Sequence, residues 1–124
     1  MDTERYERGK RKLAEIDGNG GENVIASLQD IAPDLGRYII EFAFGDIYRR
    51  EGLRLQEREM VTITSLLTAG GCEAQLEVHI NGALNVGISK DKIVETFLPC
   101  IPYAGFPKVL NAITVAQKVF AARD

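Results

Sequence analysis

The sequence predicts an all-α protein. Apolar residues recur at three- or four-residue spacing in almost every segment of the chain, which is the period of an amphipathic helix. No stretch shows the sustained alternation of a half-buried strand; the nearest, residues 61–64, lies in a helical context. The chain has 124 residues and is 45% hydrophobic, which suffices for a buried core. We therefore expect one domain over residues 1–124, a bundle of about six to seven helices.

The N-terminal part, residues 1–32, predicts a helical extension. Its first helix is mostly polar, with Tyr6, Leu13 and Ile16 on the inner side. The glycine-rich run at 17–21 is expected to break this helix as a flexible connector. It is not a phosphate loop, because no strand precedes it and no Gly-Lys-Ser/Thr follows. A short second helix is marked by four apolar residues, Val24, Ile25, Leu28 and Ile31.

A third helix is predicted from Pro33 to about Arg50. Proline is favoured in a first helical turn, where its missing N–H costs nothing. Apolar residues between Leu35 and Tyr48 cover most of the circumference of this helix. A helix of that kind must be buried on several sides, which favours packing between subunits.

The C-terminal part predicts four more helices. The fourth runs from about Gln56 to Ala69, and the fifth from Cys72 to Val86. The sixth has Ser89 as its N-cap and is expected to kink or end at Pro99 and Pro102. The last is opened by Pro107, and its predicted inner stripe is Val109, Ile113, Ala116 and Phe120.

Composition and charge exclude several partners. The net charge is −3, and the basic residues between Arg5 and Lys12 interleave with acidic ones, so we expect a solvated face and no nucleic acid. The polar start, residues 1–5, lacks the apolar core of a signal peptide, and the longest uncharged runs, 60–72 and 96–107, are too short for a bilayer. We expect a cytoplasmic protein without a membrane partner. Two cysteines 28 residues apart and one histidine fit no familiar zinc spacing, so no metal site is predicted.

The chain's only histidine, His79, is its best candidate for proton transfer, because an imidazole has an ordinary pKa of about 6.5. In a helix, Cys72 and Gln75 fall on the same side as His79. That stripe continues with Leu76 and Ala83, so it is expected to face the interior. A core histidine satisfied by one hydrogen bond is the plainer interpretation.

The other candidates also have two interpretations each. Arg58 and Glu59 are either a solvated pair in a first helical turn or site residues, with Glu59 orienting His79. Cys72 is either a small core residue or a thiol made reactive by the start of a helix. Tyr103, close to Gly105 and Pro107, either covers a pocket or packs in the core.

Four segments together resemble the carboxymuconolactone decarboxylase family, within the AhpD-like superfamily. They are Glu41–Tyr48, Arg58–Ile63, Gln75–Gly87 with His79, and Tyr103–Pro107. The resemblance covers roughly residues 33–120, which it identifies as the family core. It implies an AhpD-like all-helical subunit in a ring-like homo-oligomer, commonly a hexamer.

The resemblance implies one of two chemistries. The decarboxylase branch converts 4-carboxymuconolactone to an enol-lactone without a metal or organic cofactor. The alkylhydroperoxidase branch cycles a disulfide with a Cys-x-x-Cys-x-x-x-His motif and a glutamate on the preceding helix. Aligning His79 with that motif places Cys72 on its first cysteine and Gln75 on its second. Without the second cysteine no local disulfide can form, and Cys100 is the only other thiol.

The first interpretation is therefore a cofactor-free lyase acting on a small lactone or keto acid, with His79 as general acid/base. Glu59 would set its tautomer, and Arg58, Gln75 and Tyr103 would contact the substrate. A thiol peroxidase or disulfide reductase using Cys72 is the alternative, and a non-catalytic ligand-binding protein is the third. Both the apolar third helix and the resemblance predict a homo-oligomer, with His79 within reach of a neighbouring subunit.

Overall fold

A computed structural model describes residues 3–124 of the chain, and every regular element in that part is helical. Met1 and Asp2, the first two residues of the polar start, lie outside the described residues. The elements are α1 (Glu4–Asp17), α2 (Asn19–Leu28), α3 (Pro33–Tyr38), a π-helical segment (Ile39–Tyr48), α4 (Leu55–Ala69), α5 (Glu73–Asn85), α6 (Lys90–Phe97), a 3₁₀ turn (Leu98–Cys100), α7 (Ile101–Ala104) and α8 (Phe106–Arg123). The predicted all-α class is confirmed.

The chain divides into two compact units, which we call the N-terminal unit, ending at Leu55, and the C-terminal unit, Gln56–Asp124. The expectation of one domain over the whole chain stays a prediction, as does the division into an extension and a core at residues 32 and 33.

The predicted glycine connector is wrong in its extent. Thr3 is the N-cap of α1, and its side chain accepts a hydrogen bond from the Tyr6 N–H at 3.0 Å. Gly18 alone separates α1 from α2, and Asn19, Gly20 and Gly21 already belong to α2. Gly18 has a φ of 54° and a ψ of −134°, a conformation that costs glycine little. One residue of this kind therefore makes the break that the run of five was expected to make.

The third helix begins at Pro33 as predicted, but it does not continue as an α-helix. From Ile39 to Tyr48 the backbone is π-helical. This segment touches α1 backbone to backbone, since a Cβ on Gly9 would lie 1.9 Å from the Ile40 carbonyl oxygen. π-helical winding is rare, and the spacing of apolar residues in this segment does not indicate it.

Polar contacts also join α1 to the π-helical segment. Arg5 forms a two-pronged ion pair with Asp46, with its Nη2 2.7 Å and its Nε 3.0 Å from the carboxylate oxygens. Arg8 Nε donates to the Gly45 carbonyl oxygen at 3.0 Å. The hydrogen bonds from Arg5 hold the pKa of the Asp46 carboxyl below its ordinary value.

The predicted burial of the third helix on several sides holds for part of its circumference. Ile40 and Phe44 are buried, whereas Leu35, Tyr38 and Phe42 are exposed. The exposed three lie at spacings of three and four residues, and so they form one stripe. The expectation that a neighbouring subunit covers this stripe stays a prediction.

The C-terminal unit has a continuous apolar core. Its members come from α4, α5, α6 and α8 and from the α5–α6 connection: Ile63, Leu67, Leu76, Ile80, Ala83, Ile88, Ile93, Phe97, Val109, Ala112, Ala116 and Val119. In α8 the predicted stripe is confirmed at Val109 and Ala116, which are buried, but not at its other two members. Ala112 and Val119 are buried, whereas the predicted Ile113 and Phe120 are only partly so.

The ends of the C-terminal helices follow their sequence signals. Helix α5 ends at Asn85, Gly87 follows with a φ of 99°, and the Ile88 N–H bonds back to the Ala83 carbonyl. The Ser89 side chain caps α6 by accepting from the Lys92 N–H at 3.1 Å. Helix α6 stops just before Pro99, and Pro102 lies in the first turn of α7. None of the helices in residues 3–124 is long and apolar enough to cross a membrane.

Candidate active site

A hydrogen-bonded carboxylate–imidazole pair joins α4 to α5. His79 Nδ1 lies 3.1 Å from Glu59 Oε1. The Glu59 side chain is completely buried, whereas the His79 side chain keeps 19% of its surface exposed. A carboxylate that accepts from Nδ1–H selects the tautomer whose basic nitrogen is Nε2. The pair therefore has the arrangement of a general acid/base with an orienting partner.

Glu59 is buried because it occupies a core position of α4. Ile63 and Leu67 follow it at spacings of four residues, and all three are buried. A solvated pair in a first helical turn, the plainer interpretation of Arg58 and Glu59, is thus wrong for Glu59. The same spacing in the sequence could have shown that Glu59 shares a face with apolar residues.

The second carboxylate oxygen of Glu59, Oε2, is buried without a hydrogen-bond partner among the described residues. Leaving a buried carboxylate oxygen unpaired costs on the order of 1–3 kcal/mol or more. A residue chosen only for packing would not carry that cost. The unpaired oxygen therefore makes the burial of Glu59 costly for the stability of the fold.

Helix α5 presents His79 beside its buried face. Leu76, Ile80 and Ala83 form that face. Gln75 is exposed within the single chain, so the expectation that it shares a buried stripe with His79 is wrong there. The physical reason is that the inner face is centred on Leu76 and Ile80, which leaves Gln75 on the outer side of the helix.

Cys72 lies before α5, not within it. It is the N-cap residue, with a non-helical φ of −115° and ψ of 32°, so helical projection from His79 does not apply to it. Its partly buried thiol donates to the Gly70 carbonyl oxygen, with Sγ 3.4 Å from that oxygen. Cys72 lines a shallow pocket whose other walls include Leu66, Leu76 and Lys108.

The remaining candidates differ in how exposed they are. Arg58 is partly buried next to Glu59 on α4. Tyr103, in α7, has 91% of its surface exposed and is not among the residues that line the pocket of Cys72. Cys100 is a free, partly buried thiol whose pKa is raised by its burial. Cys100 does not line the pocket of Cys72.

This all-helical chain with a paired histidine and glutamate belongs to the carboxymuconolactone decarboxylase family, which matches residues 33–118. It is 35% identical over 120 residues to a 4-carboxymuconolactone decarboxylase from Acinetobacter baylyi, covering 96% of this chain and 89% of that protein. It is 31% identical over 102 residues to the nitrosuccinic acid decarboxylase npaB from Metarhizium robertsii, covering 80% of this chain and 71% of that protein. It is also 30% identical over 99 residues to an uncharacterized 15.0 kDa protein from Paracoccus denitrificans, covering 79% and 74%.

The predicted family is therefore confirmed. The prediction of a lyase agrees with the two relatives that are named as decarboxylases. The roles assigned to His79, Glu59, Cys72, Arg58, Gln75 and Tyr103 stay predictions.

Proposed function

We propose that this protein decarboxylates a small carboxylic acid, a lactone or a keto acid, with His79 as general acid/base. The observation that carries the proposal is the hydrogen bond between His79 and the buried Glu59. The names of two relatives support it, because both an unsaturated lactone and a nitro group can accept the electron pair that departing CO₂ leaves behind.

The reaction would proceed in two steps. The bond between the carboxylate carbon and its neighbour breaks, CO₂ leaves, and the electron pair moves into the substrate's own carbonyl group to form an enolate. The imidazolium of His79 then gives its Nε2 proton to the enolate carbon and regains one from water. The substrate supplies the electron sink, so the proposal includes no cofactor.

The other residues would bind the substrate or orient the His79 ring. Glu59 keeps the Nδ1 proton in place, which aims Nε2 and stabilises the charged ring. Arg58, adjacent on α4, would grip a substrate carboxylate with its guanidinium. Gln75 and Tyr103 are exposed in the single chain, so they would contact substrate only where a second subunit covers them.

The test is CO₂ release from a panel of small lactones and β-keto acids. We expect His79→Ala and Glu59→Gln to lower kcat by about 10²- to 10⁴-fold, because the first removes the proton donor and the second removes the charge that stabilises the imidazolium. Cys72→Ala is the control and should retain activity. Full turnover by His79→Ala would contradict the proposal.

A thiol peroxidase using Cys72 is the second candidate, favoured by the place of this thiol in a pocket wall. Its resolving thiol would have to be Cys100. Burial raises the pKa of Cys100, which lowers the share of reactive thiolate at neutral pH. Mass spectrometry after mild peroxide treatment distinguishes the two. A sulfenic acid at Cys72 or a Cys72–Cys100 disulfide, with peroxide turnover lost in Cys72→Ala, would favour the peroxidase.

We also propose that the protein is a cytoplasmic homo-oligomer, a hexamer by its family resemblance. The stripe of Leu35, Tyr38 and Phe42 and the exposed Phe106 and Leu110 support this, because large apolar surfaces favour association. Light scattering at micromolar concentration tests it, and a stable monomer would contradict it.

The third candidate, a ligand-binding protein without catalysis, would bind members of the panel without turning them over.

A further inference from the structure

The Glu59–His79 pair depends on how α4 and α5 are aligned. The two residues lie on different helices, and their hydrogen bond of 3.1 Å tolerates only a small slide of one helix along the other. One residue of helical rise is about 1.5 Å, enough to break such a bond. Interdigitated apolar side chains resist such a slide, but they do not set the hydrogen-bond geometry directly, and a directional contact between the same helices does so more closely.

A second directional contact joins the same two helices. Gln56 Nε2 donates to the Val86 carbonyl oxygen at 2.8 Å. Gln56 lies three residues before Glu59, about one turn earlier on α4. Val86 lies seven residues after His79, at the end of α5. The earlier residue on α4, Gln56, bonds to the later residue of the α5 end, Val86, so the two helices are antiparallel. The two bonds therefore fix the alignment of α4 and α5 at two separate points.

The acceptor of this contact is held rigidly. After α5, the Gly87 N–H bonds to the Leu84 carbonyl and the Ile88 N–H bonds to the Ala83 carbonyl. This is a Schellman end, and it satisfies the carbonyls of the last turn. Ile88 is itself buried in the core of the C-terminal unit. The Val86 carbonyl therefore projects from a fixed end of α5, and the Gln56 amide bonds to it.

We propose that Gln56 is a positioning residue that sets the alignment of α4 on α5, and thereby the Glu59–His79 hydrogen bond. The consequence for decarboxylation depends on the proposed function, but the consequence for the imidazole does not. Gln56 does not contact the substrate. Removing the amide donor of Gln56 should weaken the Glu59–His79 hydrogen bond while the apolar core of the C-terminal unit stays folded.

The test uses the fact that His79 is the chain's only histidine, so its ¹⁵N imidazole signals need no assignment in a preparation without a histidine tag. The wild type should show the Nδ1–H tautomer. Gln56→Met keeps the side-chain length and removes the donor. It should give a mixture of tautomers and a displaced titration curve. Gln117→Met, on the exposed side of α8, is the matched control and should keep the wild-type signals.

Kinetics provide the second measurement. Gln56→Met should lower kcat by about 10- to 100-fold with little change in KM, as expected when a catalytic group is misplaced by about an ångström. If Gln56→Met does not fold, Gln56→Lys decides, because it keeps a donor that can reach the Val86 carbonyl. A wild-type tautomer in Gln56→Lys supports the proposal, and a mixed one overturns it.

The outcomes separate this inference from the proposed function. A wild-type tautomer and titration curve in Gln56→Met would overturn the positioning role, whatever the activity. A changed tautomer in Gln56→Met, together with a wild type that decarboxylates nothing in the panel, would leave the positioning role standing and contradict the proposed function.

Discussion

The two compact units use different means to hold their helices together. In the N-terminal unit, α1 meets the π-helical segment through the backbone at Gly9 and Gly45 and through the ion pair of Arg5 with Asp46. In the C-terminal unit, four helices share one continuous apolar core, and side-chain hydrogen bonds such as Gln56 to Val86 and His79 to Glu59 add to it. Close backbone contact allows no added atoms, whereas an apolar core loses stability when atoms are removed.

The difference also explains where the candidate chemistry lies. A closed apolar core can hold a buried carboxylate in one geometry, because little water competes for its hydrogen bonds. Glu59 is held in this way, and only His79 reaches the surface. Asp46 in the N-terminal unit is a partly exposed carboxylate in an ion pair, which is an arrangement typical of structural contacts.

The largest expected effect is the removal of core atoms from the C-terminal unit. Phe97 is completely buried. Phe97→Ala should lower the free energy of unfolding by about 3–5 kcal/mol, as lost apolar transfer and a cavity add together. Urea unfolding measures it. Phe106→Ala, at a position 67% exposed, is the control and should change stability by about 0.5 kcal/mol or less. Equal losses would show that Phe106 is covered by another chain in solution.

The next effect is the addition of one carbon to the N-terminal unit. A Cβ on Gly9 would overlap the Ile40 carbonyl oxygen, so Gly9→Ala should cost about 3 kcal/mol or more. A Cβ on Gly20 meets nothing within 4 Å, so Gly20→Ala should stabilise α2 by about 0.5–1 kcal/mol. Hydrogen exchange of amides in α1 and α2 measures both changes. The two substitutions add the same methyl group but should change stability in opposite directions, and an unprotected wild-type α1 would contradict the close contact.

The smallest effect is the pH dependence of the Arg5–Asp46 pair. Since the pKa of Asp46 is lowered in the folded chain, the pair stabilises the fold above the ordinary carboxyl value of 3.8, and this contribution is lost as the pH falls through the folded value. Asp46→Asn should therefore be less stable than the wild type at pH 6, and the two should converge below pH 3.8. Unfolding curves across this range measure it, and a difference that persists at low pH would assign the loss to packing.

The sequence alone determined the fold class, the family and most helix ends of this protein. The signals for these features are local: the apolar period, the prolines, the Ser89 cap and Gly87. Each acts on the backbone next to it and does not depend on tertiary contacts. The candidate proton-transfer residue was also readable, because His79 is the only imidazole in the chain.

Only the tertiary structure decided which neighbours His79 has. Helical projection favoured Gln75 and Cys72, but the first is exposed and the second is an N-cap residue outside α5. Burial of Glu59, the π-helical winding from Ile39 to Tyr48 and the bond from Gln56 to Val86 all depend on contacts between segments distant in sequence. A period shows which face of a helix is apolar, but the axial alignment of two helices is set by the contacts they make with each other.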